Sequence, residues 1–371
     1  MSPAVNIPAR TPRVLVLYTE LAPYVLTCLR ALAQRGVEVH VVRWPVNSEA
    51  PFALSTEGLH LYERKDLDDA ALQRLAIELN PDVTLCSGWI DKGYLAACRS
   101  LRKLGGHTVM CSDTAWQGKP RQWVAALAGR LILQRTFSAA WVTGERQALY
   151  ARKLGFAAGR VSKGFYAADT DHFLALGGTL LAERQNAWPH VFLCVARYIA
   201  VKNHQLLCDA FAELCEEGHA GDWQLWFAGT GELHGAVSGS ASGSHPRIKH
   251  LGFVQGEAMR SAMRSAGVFV LPSAYEPWGV VVQEQACAGL PLALSQEVRA
   301  GERFLIEGRN GLSFPANDKQ RLKEALCKFV AMPDDVLAEQ GRASRALGAT
   351  WSPSDWAGVV VNMIQQQRGQ A

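Results

Sequence analysis

Glu276 and Glu284 are the two carboxylates best placed to contact a ligand; both stand in the stretch 268–291, VFVLPSAYEPWGVVVQEQACAGLP. Val268 to Leu271 is a short apolar run of strand type, and Pro272, Ser273, Pro277 and Gly279 mark the turn after it. Gly279 lets a ligand approach the backbone, and Val280 to Val282 are expected to open a helix with free N–H groups, which attract anions. Glu276 falls in the loop and Glu284 more than a turn inside the helix, so they cannot serve the same ligand atom. They read as two contacts along one extended molecule, or as an acidic helix start that favours the helix dipole. A second constellation is cationic. Arg197 ends the apolar run VFLCVARY and Lys202 precedes a helix beginning near Asn203, so the pair can converge at a strand's carboxyl end, where open α/β sheets bind ligands. Two solvated surface cations are the alternative.

The elements that must position these residues alternate along the chain. RVLVL (13–17), a helix from about Ala22 to Arg35 and a strand from Val37 to Val42 make a strand, helix, strand unit that favours a parallel sheet. Further strands are expected at Asp82 to Cys86, His107 to Cys111 and Ala139 to Thr143, with helices at Lys92 to Leu104 and Arg146 to Leu154. Val161 is expected to begin the exit from this domain. A second alternation has strands at Val191 to Ala196, Gln224 to Ala228 and Ile248 to Gly252 around a helix from His204 to Glu217. The Gly/Ser-rich stretch 235–244 reads as a mobile loop without regular structure.

The motif around Glu276 and Glu284, closed by AGLP, resembles glycosyltransferase family 4. The segments VARYIAVKNHQLLCDAF, LGFVQGEAM and NGLSFPANDKQRL, and the Gly229-Thr230-Gly231 turn, resemble the same family at matching places in the second half; the first half matches only in the order of elements. The resemblance implies an α/β GT-B fold, two Rossmann-like doubly wound domains facing a central cleft. The expected boundaries are an acceptor-side domain at 1–167, a nucleotide-sugar domain at 168–350 and a final helix, 351–371, returning to the first domain. It further implies that Glu276 contacts the donor sugar, Glu284 the ribose, Arg197 and Lys202 with Gly279 and Val280 the diphosphate, and backbone groups near Phe253 and Val254 the base. The donor implied is a UDP-sugar or GDP-sugar, with no metal or other cofactor. Family 4 enzymes retain the donor's anomeric configuration, and the departing phosphate takes the acceptor proton. Fixed cations and helix N–H groups then offset the charge of the leaving group.

The first domain departs from the family pattern. YTELAPY (18–24) stands where a Gly-rich loop is common, and Asp113, ending HTVMCSD, lies near where many relatives carry His. Asp113 reads either as a group that orients an acceptor hydroxyl or takes its proton, or as a helix cap; Glu20 is a weaker candidate. Two Asp-x-Asp triplets, 66–68 and 169–171, have the spacing of metal ligands but read as cap and linker positions.

Composition narrows the function class. The 371 residues, half of them apolar, suffice for two cores. About 21 Lys and Arg stand against 14 Asp and Glu in residues 1–170, and about 17 against 20 beyond them, so the first half is basic. Without a basic tail or nucleic-acid-binding signature, nucleic acid is not the expected partner. Nine cysteines without Cys-x-x-Cys spacing suit buried thiols in a reducing cytoplasm, and neither a signal peptide nor a spanning segment is read. Residues 116–137, WQGKPRQWVAALAGRLILQRTF, have the composition of an interfacial amphipathic helix that could rest on the inner face of the cytoplasmic membrane, or of a core helix with Arg at its wet edge. The expected function is sugar transfer to a glycan or lipid-linked acceptor in cell-surface polysaccharide or lipopolysaccharide assembly. A nucleotide-sugar epimerase of the same fold and an inactive nucleotide-sugar binding module are the alternatives.

Overall fold

The computed structural model describes residues 10–19, 21–45, 56–184 and 187–369. The chain divides into two compact units, residues 1–167 with 353–371, and residues 168–352.

The first unit is built on seven strands: β1 (Arg13–Tyr18), β2 (Glu38–Arg43), β3 (His60–Glu63), β4 (Val83–Ser87), β5 (His107–Ser112), β6 (Ala139–Val142) and β7 (Val161–Lys163). They form one parallel sheet in the order β3-β2-β1-β4-β5-β6-β7. Parallel pairing needs crossover helices, supplied by α1 (Pro23–Ala33), α2 (Asp69–Leu79), α3 (Lys92–Lys103), α4 (Pro120–Ile132) and α5 (Glu145–Lys153). The central strands are apolar on both faces because helices cover both. Val161 therefore does not begin an exit: it opens an edge strand paired with β6. That strand and β3 are short and half polar, so neither shows an apolar run to read.

The second unit follows through α6 (Thr170–Glu183), β8 (Val191–Val195), α7 (His204–Glu216), β9 (Gln224–Ala228), α8 (His234–Ser238), β10 (Ile248–His250), α9 (Glu257–Ser265), β11 (Val268–Leu271), α10 (Val280–Cys287), β12 (Leu292–Ser295), α11 (Gly301–Phe304), β13 (Gly311–Phe314), α12 (Lys319–Val330) and α13 (Asp334–Gly348). Its six parallel strands run β10-β9-β8-β11-β12-β13 over a core of Phe192, Phe211, Trp223, Phe227 and Phe329. The final helix, α14 (Pro353–Gly369), belongs to the first unit, where Trp356 donates from Nε1 to Phe165 O (2.7 Å) and packs on Trp141 with ring centroids 4.8 Å apart, tilted by 33°.

The Gly/Ser-rich stretch is not the unstructured loop its composition suggests. Its first half is α8, and serines fasten the rest: Ser240 Oγ donates to Val237 O (2.7 Å) and accepts from Gly243 N–H (3.0 Å), while Ser242 Oγ donates to Asp209 (2.5 Å). Short side chains that bond their own backbone can order a glycine-rich segment. The Asp-x-Asp triplets do act as caps: Asp68 accepts from Ala71 N–H (2.6 Å) and Asp169 from His172 N–H (3.2 Å), each filling a helix's free donors.

Glu38, His40 and His60, at the β2/β3 edge, bring possible metal-ligating atoms within 4.8 Å. Arg13 holds Glu38 (2.7 Å), Tyr62 bonds His40 (3.1 Å), and the two imidazoles stack at 16°. Glu38 and His40 also bond each other (2.9 Å), so these two groups are engaged within the sheet. All nine cysteines are free thiols, seven of them buried. No helix among the described residues is long and apolar enough to cross a membrane.

Candidate active site

The strand order of the second sheet reverses between β8 and β11, and at such a switch point the loops leaving adjacent strands part to leave a crevice. Arg197 and Lys202 leave β8; Ser273 and Glu276 leave β11. Local backbone bonds clip the two loops together. Ala274 N–H donates to Val201 O (2.8 Å), and Asn203, in left-handed conformation at φ 54°, donates from Nδ2 to Pro272 O (3.1 Å) and Asn317 Oδ1 (2.8 Å). Lys202 and Glu276, 74 residues apart, consequently form a direct, largely buried ion pair. Arg197 is exposed on the same loop.

Glycines bring the neighbouring loop close. Gly229 and Gly231 follow β9 at φ 146° and 154°, and a Cβ on them would lie 2.0 Å from Ala196 O and 2.7 Å from Tyr198 O. Only glycine permits the bonds from Ala196 N–H to Ala228 O (3.1 Å) and from Tyr198 N–H to Thr230 O (2.9 Å), which press this turn against the Arg197 segment. Gly229 N–H in turn donates to Gly252 O (2.7 Å), so the loop bearing Phe253 and Val254 lies beside the same turn.

Gly279, at φ 92°, is the N-cap of α10, which opens at Val280. One expected free donor is not free: Val282 N–H bonds Gly279 O (3.0 Å), a tight first turn that leaves the helix start with fewer N–H groups to offer. A segment to which the sequence reading gave no role supports the motif from behind. Glu276 N–H donates to Glu297 O (3.2 Å), Arg299 N–H to Glu276 O (3.3 Å) and Ala300 N–H to Trp278 O (2.9 Å). Ser273, read from the sequence only as a turn residue, has a buried hydroxyl with no partner among the described residues. Only the juxtaposition of loops distant in sequence exposes these supports.

Glu284 lies one turn inside α10, where burial, with a smaller repulsion from Asp169, pushes its carboxyl up to about 7. It makes no ion pair among the described residues, unlike its neighbour Gln283, which donates to Gly348 O (3.0 Å) and Trp351 O (2.6 Å). A carboxylate desolvated without a protein counter-charge is costly, and such groups gather at ligand sites.

In the first unit, Asp113 follows β5 and caps no helix, since α4 begins seven residues later behind Lys119. Its carboxylate accepts from Tyr166 Oη (3.3 Å) and its carbonyl from Gln147 Nε2 (3.2 Å). Burial raises its pKa, partly offset by the Tyr166 bond. Glu20 lies outside the described residues.

A family model described as Glycosyl transferases group 1 matches residues 189–332. An uncharacterized glycosyltransferase of Methanocaldococcus jannaschii is 32% identical over 107 residues, 28% of this chain and 27% of the relative. A phosphatidyl-myo-inositol mannosyltransferase of Mycobacterium leprae is 34% identical over 126 residues, 34% of this chain and 33% of the relative. The chain thus spans about a quarter to a third of the length of the curated relatives it matches. The solved Anabaena HepE in complex with UDP superposes with a TM-score of 0.72 at 14% identity, over 95% of this chain and 100% of that one. Sucrose-phosphate synthase from Thermosynechococcus elongatus gives 0.69 at 18%, over 98% and 100%. At these identities the structural likeness is one of fold, and that fold is GT-B. The matched residues 189–332 include Arg197, Lys202, Phe253, Val254, Glu276, Gly279, Val280 and Glu284, and over this stretch the chain is similar to the glycosyl transferases group 1 family.

Proposed function

We propose that the chain is a retaining, family 4-type glycosyltransferase that moves a sugar from a nucleoside diphosphate donor, a UDP-sugar, to a glycan or lipid-linked acceptor of cell-surface polysaccharide. The observation that carries this reading is the Lys202–Glu276 pair at the strand-order reversal, with Glu284 half-buried one turn inside the following helix and without an ion pair among the described residues. A nucleotide sugar matches that layout. Its diphosphate takes Lys202 and Arg197, its sugar hydroxyls take Glu276, its ribose diol takes Glu284, and its base meets the backbone at Phe253 and Val254. The relative named as a phosphatidyl-myo-inositol mannosyltransferase and the neighbour solved with UDP support the lipid-linked acceptor and the base.

The chemistry is a substitution at the anomeric carbon. The acceptor oxygen forms the new C–O bond on the face from which the diphosphate leaves; the bond from anomeric carbon to phosphate oxygen breaks; the departing phosphate takes the acceptor proton. The products are the glycosylated acceptor and UDP. Negative charge grows on the leaving oxygen, and Lys202, Arg197 and the start of α10 stabilise it without a metal. Asp113, with its raised pKa, is assigned to the acceptor hydroxyl as a hydrogen-bonding partner. Incubation with a panel of UDP- and GDP-sugars and a lipid-linked glycan extract tests the reading. The expected result is free UDP with an enlarged acceptor; a changed sugar on an intact diphosphate would show an epimerase, and binding without turnover a module that has lost activity.

Glu284 adds a pH signature. Ribose hydroxyls donate best to a carboxylate, so nucleotide binding favours the ionised form and must expel a proton below a pKa of about 7. UDP affinity is expected to fall about tenfold per pH unit below that point and to level off above it. The Glu284→Gln variant should lack this component; because the phosphate's own titration is common to both proteins, calorimetry at several pH values isolates Glu284. In stability the sign is opposite. The native carboxyl holds its proton above the ordinary 4.5, so this contribution is complete in acid and is lost as pH rises to about 7.

A further inference from the structure

Helix α4 is turned the opposite way from an ordinary surface helix. Its buried residues are the small Ala126 and Gly129, and a Cβ on Gly129 would lie 2.9 Å from Leu154 Cδ2, so small residues let the helix seat closely on its own unit. Its large apolar residues face out: Trp123 is 57% exposed, Val124 69%, Leu127 79%, Leu131 68% and Ile132 48%. A core helix with a wet Arg edge would show the reverse. At about 100° per residue, Trp123, Leu127, Leu131 and Val124 form one stripe opposite the buried face, with Arg130 bordering its Trp123 side and Arg121 its far side.

Charge selects the occupant. From Thr114 to Gly144 there is no Asp or Glu, and the four cations, Lys119, Arg121, Arg130 and Arg135, are all exposed. Trp116 and Trp123 meet edge to face at 5.1 Å beneath Lys153 Nζ, 4.6 and 4.9 Å from the two rings, which holds an amphipathic aromatic pair and a further cation at the helix start. An apolar stripe flanked by arginines, lacking any carboxylate, fits a surface that is apolar below and anionic above. A protein partner of matching charge would have to supply an apolar face ringed by acids; a phospholipid bilayer carrying anionic headgroups supplies both.

We propose that α4 lies flat on an anionic phospholipid surface, with Trp123, Leu127 and Leu131 entering the headgroup–acyl boundary and Arg121 and Arg130 meeting lipid phosphates. This deepens the proposed transfer to a lipid-linked acceptor, and rests on that reading for its purpose only. The test uses the full chain and vesicles of phosphatidylcholine, with or without phosphatidylglycerol at about one third of the lipid. Co-sedimentation is expected with the anionic vesicles, at least tenfold weaker with phosphatidylcholine alone, and weakening as salt rises. Leu127→Glu/Leu131→Glu should lower anionic-vesicle binding at least tenfold, and Arg121→Gln/Arg130→Gln about tenfold with a flatter salt dependence. Equal binding by the Leu127→Glu/Leu131→Glu variant, or no preference for anionic lipid, overturns the proposal. So does a wild-type dimer that this variant splits without vesicle binding, which would make the stripe an interface between copies. UDP titration separates the two claims: a chain that binds UDP but ignores vesicles loses only the membrane surface, whereas one that binds vesicles but no nucleotide loses only the transferase reading.

Discussion

Glu276→Ala is expected to lower the rate of sugar transfer on the order of 10²- to 10³-fold while UDP affinity stays within roughly threefold of wild type, or tightens. The split follows from the ion pair. In the intact chain Lys202 bonds the Glu276 carboxylate, so donor binding must exchange this contact for two others, phosphate with lysine and sugar hydroxyls with glutamate. Removing Glu276 takes away only the second. Lys202 is then released towards the diphosphate, which the UDP half carries unchanged. Steady-state rates with the UDP-sugar, beside calorimetric titration of UDP, read the two effects separately. A variant that transfers sugar at the wild-type rate would remove Glu276 from the sugar contact.

Lys202→Ala should have the complementary effect and a cost in folding. It leaves Glu276, only 8% exposed, without its counter-charge, and breaking a buried pair from one side destabilises by about 3 kcal/mol. UDP affinity should fall about 100-fold, because the cation lost is the one held at the strand end by the clip between Ala274 and Val201. The Lys202→Ala/Glu276→Ala double variant separates the two costs. It should recover stability to within about 1 kcal/mol of wild type and recover none of the UDP affinity, since phosphate binding needs the Lys202 cation itself. Denaturant melts of the four proteins give the coupling energy. If the losses of the two single variants simply added in the double variant, the pair would contribute nothing to the fold.

The strands that lead to Arg197, Lys202 and Glu276 were legible because parallel strands buried on both faces read as unbroken apolar runs, as VFLCV and VFVL do. Edge elements were not: HLYE and VSK are short and half polar, and nothing in GLSF distinguishes β13 from a turn after Asn310. The helix starting at Val280 was legible from Gly279, but the Val282 N–H lost to a tight turn was not, because it depends on the φ and ψ that Gly279 adopts. Arg197, Lys202, Glu276 and Glu284 could be named from their neighbours in sequence. That Lys202 and Glu276 bond each other could not, since the contact comes from strand order, and strand order is set by packing across the whole sheet. Helix α4 shows the same limit from another side. Periodicity reveals an apolar face but not whether the fold covers it, and here the small residues Ala126 and Gly129 take the covered side.

A crystal structure of the chain soaked with UDP tests the central claim most directly. The diphosphate is predicted about 3 Å from Lys202 Nζ and the Arg197 guanidinium, with the ribose hydroxyls on the Glu284 carboxylate and the Lys202–Glu276 contact opened. UDP bound elsewhere on the chain, with that ion pair intact, would contradict it.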